Sequence, residues 1–293
     1  MNKEKEQRAI KYLQLFEPKD EPYYLCYSGG KDSDTILALA KLAGVNFEAV
    51  HNLTTVDAPE TVRYIKSQPD IRIEKPNQTM WQLIVDRKMP PTRIVRYCCS
   101  ELKERGGRGR KKITGVRWAE SISRQKNGGF VKIIGKEKTM KKLAEEAGID
   151  YEETAKGGMV LNNDNSDTRA FVDHCYRTTS VMVNPIVDWT DNDVWEFLKY
   201  YGIDSNPLYQ SGCKRIGCIG CPMQGGNGMK ADFIKYPKYR DAYLRAFDKM
   251  LKARAENGLD TDAKWRDARS VMMWWVGDEP NQLSLFGETE YLK

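Results

Sequence analysis

The sequence predicts an α/β fold: a doubly wound parallel sheet of about five strands, with a cysteine-rich segment and a helical C-terminal extension. Three observations carry this. A short apolar run from Tyr23 to Tyr27 stops at Ser28-Gly29-Gly30 and passes directly into a helical stripe of Ile36, Leu37, Leu39, Ala40 and Ala43, closed by Gly44. Strand-like and helix-like segments then alternate at the spacing of parallel units joined by right-handed crossovers. Finally, 293 residues, 40% hydrophobic and 30% charged, can bury the core of one large α/β domain with additions. On this reading residues 1–225 form the main domain with an N-terminal helix and the cysteines, 226–279 the helical extension, and 280–293 a flexible tail.

Residues 1 to about 20 read as an amphipathic helix carrying Ile10, Tyr12, Leu13, Leu15 and Phe16, expected to cover a sheet edge. Phe47 to Leu53 is a second strand. Pro59 suits the first turn of the next helix, with Asp57 near its N-cap and Glu60 behind it. Ile71 to Ile73 makes a short third strand, followed by a helix from about Thr79 to Lys88. Pro90-Pro91 turns the chain into another helix near Cys98. Ile113 to Gly115 is a strand leading to a polar turn with Arg117, Glu120, Ser121 and Arg124. Between Asn127 and Asp173 the pattern weakens: Lys136 to Gly148 is expected to be helical and Gly157 to Thr168 irregular. Val181 to Val187 is a strand, and Thr190 caps a helix from Asp191 to Tyr201 with Asp193 three residues on. Beyond Asp232 the pattern is helical, with Tyr239, Tyr243, Leu244, Phe247 and Leu251 on one packing face.

Composition narrows the class. No apolar run approaches the roughly 18 residues that cross a bilayer, and the opening MNKEKEQRAI lacks the apolar centre of a signal peptide, so a cytoplasmic protein with no membrane partner is expected. The net charge of +6 is modest but uneven. Lys103 to Lys112 (KERGGRGRKK) carries six basic residues against one acid, Glu104, which fits a polyanion-binding stretch or a solvated loop. Seven cysteines in a reducing compartment do not make a disulfide framework, and their grouping argues for metal. Cys26 and Cys175 read as small core residues.

A strand that turns through two glycines into a helix aims unpaired N–H groups and the positive end of the helix dipole at one point, which suits a phosphate anion. The loop SGGKDS lacks the four residues that separate the first glycine from the Gly-Lys pair in the commoner ATP-binding loop. It resembles the PP-loop of the N-type ATP pyrophosphatases, which split ATP between its α and β phosphates. That resemblance implies that Ser28, Gly29, Gly30 and Ser33 hold pyrophosphate or its equivalent, that Lys31 adds positive charge, and that Asp32 serves Mg2+ or fixes the loop. Ligands of open parallel sheets lie beyond the carboxyl ends of the strands, which adds Thr55 and Gly115 as nucleotide-binding candidates. Arg117 and Arg124 can hold phosphate or sulfate through paired hydrogen bonds; their spacing alone fits surface salt bridges equally.

Cys218-Ile219-Gly220-Cys221 is a CxxC on a tight turn, by itself open between zinc, an iron–sulfur cluster and a redox dithiol. Cys98-Cys99 supplies two more ligands if the fold brings it close. SGGKDS, the PET segment, the Cys-Cys pair, TGVRWAESISR, NPIVDWTDNDVWEFLKYYGIDSNPLY and IGCIGC together resemble, in this order, the phosphoadenylyl-sulfate (PAPS) and adenylyl-sulfate (APS) reductase family over about residues 20–225. The resemblance implies an adenine nucleotide α-hydrolase-like (HUP-type) fold and makes Cys98, Cys99, Cys218 and Cys221 ligands of a [4Fe–4S] cluster, with zinc as the alternative. Cys213 is an alternative ligand or a reactive thiol, its thiolate favoured by Lys214 and Arg215. Reductases of the family carry a late cysteine in a Glu-Cys-Gly motif, and no cysteine follows Cys221 here. The expectation therefore shifts to the branch exemplified by the ATP pyrophosphatase component of DNA phosphorothioation.

Gln282-Leu283-Ser284-Leu285-Phe286 resembles the pentapeptide that binds the bacterial sliding clamp: Leu283, Leu285 and Phe286 suit an apolar groove and Gln282 its edge. A tail folded on its own core would use the same residues. The reading is an enzyme that binds ATP and Mg2+ and adenylylates an acceptor for sulfur transfer, with Lys31, Asp32, Arg117 and Arg124 at the reacting phosphates. A sulfur donor protein, DNA and the clamp are its expected partners. The alternatives are an APS or PAPS reductase that takes an adenylyl sulfonucleotide, and a clamp-associated DNA-binding protein whose nucleotide site is not catalytic.

Overall fold

The computed structural model describes residues 1–134, 137–155, 158–175, 180–259, 265–278 and 290–292. In chain order these form α1 (Lys3–Leu15), β1 (Tyr23–Cys26), α2 (Lys31–Ala43), β2 (Phe47–Asn52), α3 (Pro59–Lys66), β3 (Ile71–Glu74), α4 (Met80–Arg87), β4 (Lys111–Ile113), α5 (Ile122–Asn127), β5 (Val131–Ile134), α6 (Glu137–Glu146), β6 (Glu152–Glu153), β7 (Met159–Leu161), α7 (Ser166–Cys175), β8 (Ser180–Val183), α8 (Asp191–Tyr200), α9 (Gly225–Lys235), α10 (Pro237–Glu256) and α11 (Ala268–Val276). The chain divides into two compact units that interleave in sequence. One comprises Met1–His51, Glu60–Ile73 and Gly106–Ile216; the other comprises Asn52–Pro59, Glu74–Arg105 and the described residues from Gly217 onward.

The first unit holds the sheet, ordered β3-β2-β1-β4-β8-β5-β7-β6. β1 runs parallel to β2 and β4, and β4 parallel to β8, so the α/β reading holds, with a central sheet that is mostly rather than wholly parallel. The strand count differs: β3, β2, β1, β4 and β8 make the five expected, and β5, β7 and β6 add an antiparallel extension. That extension corrects the irregular reading of Gly157 to Thr168. Met159, Val160 and Leu161 are all buried there, paired with Val131 to Ile133, in a run too short to display a period of its own. β8 is shorter than Val181 to Val187, because Pro185 has no N–H for a ladder and the chain turns at Asn184, whose carbonyl accepts from Val187 N–H at 3.1 Å. The core packs α1 and α2 onto the sheet through Leu13, Phe16, Leu39 and Ala40, with the Tyr12 and Phe130 rings stacked at 4.3 Å.

The second unit is helical. Tyr243 on α10 contacts Trp275 on α11 at 4.8 Å and Trp81 on α4 at 4.8 Å between ring centroids, forming the centre of an aromatic cluster. Among the described residues no helix is long and apolar enough to cross a membrane. The basic run is not one continuous charged surface. Lys111 is fully buried and paired with Asp173, while Arg110 pairs with Glu48 at 2.7 Å. The tail residues Gln282, Leu283, Leu285 and Phe286 lie outside the described residues.

Candidate functional site

Tyr23, Tyr24 and Leu25 bury β1 at the middle of the sheet, and the chain leaves it through Tyr27-Ser28-Gly29-Gly30 to enter α2 at Lys31. Gly29 has φ 73°, and a Cβ there would lie 2.9 Å from Ile65 Cγ1, so both conformation and space demand glycine. Gly30 N–H donates to Ser33 Oγ at 3.0 Å, and that hydroxyl donates back to the Gly30 carbonyl at 2.7 Å. Ser28 Oγ donates to Ser33 Oγ at 3.3 Å. The serines thus fold the turn upon itself and hold its shape.

Around this turn lies a closed charge network. Lys31 Nζ is 3.0 Å from Asp32 Oδ1 and 2.9 Å from Asp191 Oδ1. Arg117, 2% exposed, approaches the same two carboxylates: Nε is 2.7 Å from Asp32 Oδ1 and Nη2 is 2.7 Å from Asp191 Oδ1. The Nε approach is an ion pair without an aligned hydrogen bond, whereas Nη1 donates to the Trp189 carbonyl at 3.2 Å. Asp191 is held below the usual carboxylate range, first by its hydrogen bond from Lys31 and then, against the opposing effect of burial, by that from Arg117. Gly115, just after β4, lets its backbone approach α2 closely: a Cβ there would be 3.1 Å from Asp32 Cβ.

Of the predicted residues, Ser28, Gly29, Gly30, Lys31, Asp32, Ser33, Gly115 and Arg117 come together in this unit. Arg124 pairs with Glu120, whose carboxylate also accepts Arg117 N–H at 3.0 Å. Thr55 belongs to the second unit, where its hydroxyl accepts Met80 N–H at 2.9 Å. A cavity of about 550 Å3 opens beside Lys31, lined also by Asp191, Trp195, Tyr209, Cys213 and Lys214. Asp191 and Tyr209 were not singled out from sequence as site residues. Asp191 read only as the first residue of a helix, and Tyr209 sits in the quoted NPLY segment with no local cue to its role.

The four predicted cysteine ligands lie in the second unit and line one small cavity of about 40 Å3. Cys98 and Cys99 open a five-residue π-helical turn (Cys99–Lys103). The CxxC turn is held from several sides: Ile219 N–H donates to the Val56 carbonyl at 2.8 Å, Tyr243 Oη to the Ile219 carbonyl at 3.0 Å, and Gly220 N–H to Asp232 Oδ2 at 2.8 Å. Gly220 has φ 70°, and a Cβ there would be 2.7 Å from the Phe233 ring. Cations face the sulfurs. Arg96 Nη2 is 3.2 Å from Cys99 Sγ. The hydrogen bond from Cys98 and, opposing burial, that guanidinium bring the Cys99 thiol down to about 5, while the shared bond and burial push Cys98 up. Much of Lys103 is exposed, yet its ammonium is held protonated chiefly by Cys218. Sequence reading assigned Lys103 to the basic run and gave Arg96 no role, although the Arg-x-x-Cys spacing was available. Cys213 lines the cavity beside Lys31, not the one lined by the other four.

Among the described residues no three His, Cys, Asp or Glu side chains are grouped tightly enough to hold a single metal ion. The donor set still fits an iron–sulfur group: four thiols line one cavity, Arg96 favours the Cys99 thiolate, and Lys103 faces Cys218, whose thiol burial nevertheless pushes up.

Comparison with known proteins gives matches along most of the chain. The uncharacterized protein MJ0973 of Methanocaldococcus jannaschii is 24% identical over 263 residues, which cover 86% of this chain and 52% of that protein. The adenosine 5'-phosphosulfate reductase of Bacillus cereus is 32% identical over 71 residues, 23% of this chain and 30% of its own. The chain spans about half or less of the length of the curated relatives it matches most strongly. Among solved structures, the phosphoadenylyl-sulfate reductase of Candida auris is similar with a TM-score of 0.41 and 15% identity, covering 73% of this chain and 87% of that one. The U34-tRNA thiolase NcsA of Methanococcus maripaludis, solved with its [4Fe-4S] cluster, gives a TM-score of 0.37 at 11% identity, covering 99% and 90%. Residues 22–224, which contain the glycine turn, the charge network and all four cavity cysteines, match the phosphoadenosine phosphosulfate reductase domain, and the chain belongs to that family.

Proposed function

We propose that this chain is a PP-loop ATP pyrophosphatase that adenylylates an acceptor for sulfur transfer. The observation that carries the reading is the placing of Lys31 and the buried Arg117 on shared carboxylates at the start of a 13-residue helix entered through Gly29-Gly30. Two fixed cations and a helix N-terminus at one point stabilise the charge that builds up as a polyphosphate leaves. In the reaction the acceptor oxygen attacks the α-phosphorus of ATP, the bond to the β-phosphate oxygen breaks, and pyrophosphate departs. Sulfur at the sulfide level then displaces AMP from the acceptor, with no net oxidation. Asp32 and Asp191 are the carboxylates available to Mg2+, which would neutralise phosphate charge. Cys98, Cys99, Cys218 and Cys221 would hold a [4Fe–4S] cluster, which would supply a binding place for sulfur. A sulfur donor protein, an acceptor in DNA and delivery by a sliding clamp extend this reading from the sequence motifs.

The test is pyrophosphate release from ATP over candidate acceptors. Lys31→Ala should reduce it by about a hundredfold or more. A second reading, APS or PAPS reduction, is favoured by the match to the Bacillus cereus enzyme. Sulfite release from either sulfonucleotide with a thiol reductant, without ATP cleavage, would replace the first reading by the second.

A further inference from the structure

The segment from Asn206 to Tyr209 straddles the turn between β1 and α2. Asn206 is fully buried and donates from Nδ2 to the Gly29 carbonyl at 3.0 Å and to Thr61 Oγ1 at 3.1 Å. Three residues on, the Tyr209 hydroxyl accepts Lys31 N–H at 3.0 Å, and a Cβ on Gly30 would lie 3.2 Å from the same oxygen. Lys31 N–H belongs to the first residue of α2, one of the amides that a helix leaves without an internal acceptor. A phenol oxygen that accepts a hydrogen bond still has its own proton to give. Burial pushes the Tyr209 hydroxyl up to about 12, so that proton is retained at neutral pH. The Trp195 ring, edge-on at 5.0 Å, fixes the phenol in place, and Tyr209, Lys31 and Lys214 line the same 550 Å3 cavity.

We infer that Tyr209 is a ligand-contacting positioning residue of the PP-loop: its oxygen holds the Lys31 amide and its hydroxyl proton is donated to an oxygen of the pyrophosphate moiety of ATP. The inference rests on the ATP reading above. A neutral donor facing a polyanion makes a charge-assisted bond, stronger than the same contact to a neutral acceptor. Lys214, at the exposed side of the cavity, adds charge to the same end of the ligand.

Calorimetric titration of the full chain with inorganic pyrophosphate tests it, using wild type, Lys31→Ala and Tyr209→Phe. Phe keeps the ring and its contact with Trp195 but has no hydroxyl. The expected result is binding about tenfold or more weaker in Tyr209→Phe, with a changed phosphorus resonance of bound pyrophosphate. Binding that is unchanged, or tighter because the phenol had been blocking the Lys31 amide, would overturn the inference. Should Tyr209→Phe melt early, 3-fluorotyrosine at position 209 preserves shape with a stronger donor: tighter binding near neutral pH supports the role, and unchanged binding refutes it. If wild type and Lys31→Ala are equally unable to bind pyrophosphate, the PP-loop reading itself fails and takes this inference with it. If only Lys31→Ala loses binding, the PP-loop reading stands and Tyr209 is structural.

Discussion

Gly29 shows how one residue can be demanded twice. Its φ of 73° is one that side-chain-bearing residues adopt at a cost, and Ile65 fills the space where a Cβ would go. Gly29→Ala should therefore destabilise the protein by about 1–3 kcal/mol, measured by chemical denaturation. Gly44→Ala should cost less, because φ there is 66° but no neighbour lies within 4 Å of the added carbon. At this scale the motif residues were legible: Ser28 to Ser33 announce a ligand-binding turn by glycine pairing and context. Asp191 and Tyr209 were not, because Tyr209 lies 178 residues from the amide it caps, and no local pattern records so distant a contact. Arg96 and Lys103 were missed for a related reason. A surface arginine and one facing a thiolate look alike until the sulfur's position is known.

Within α2, the first turn carries a buried carboxyl beneath the loop. Asp34 accepts from the Tyr27 hydroxyl at 2.5 Å, and burial pushes its pKa up to about 7. The unfolded chain ionises this group near its ordinary 3.8, so between about pH 4 and 7 the native state keeps a proton that the unfolded state releases. Its contribution is thus fullest below about pH 4, declines as pH rises to 7, and is flat above. Asp34→Asn should raise stability at pH 8 by up to about 4 kcal/mol and flatten that part of the pH profile, as read from denaturation midpoints at pH 5 and 8. Element by element, the long periodic helices and the strands flanked by turn residues were legible. The three-residue β7 was not, since Met159 to Leu161 gain strand geometry only by pairing with β5 and β6.

For the molecule as a whole, the glycine turn lies in one unit and the four cavity cysteines in the other. Anaerobically purified protein should contain iron and sulfide, and Cys98→Ser or Cys218→Ser should lower the iron content by more than half. Cys213→Ser should leave it unchanged, since Cys213 lines the cavity beside Lys31. Zinc in place of iron in the untreated protein would refute the cluster. The interleaving itself was not written in any local pattern, because the chain enters the second unit at residues 52–59, again at 74–105, and finally from Gly217.

That threading bears on biosynthesis. Cys98 and Cys99 leave the ribosome well before Cys218 and Cys221, with β4 through β8 translated in the interval. Until then the first pair stands without the second, while Arg96, three residues before Cys99, is translated together with it. If the four cysteines hold a cluster, its assembly cannot be completed before the later pair has been translated.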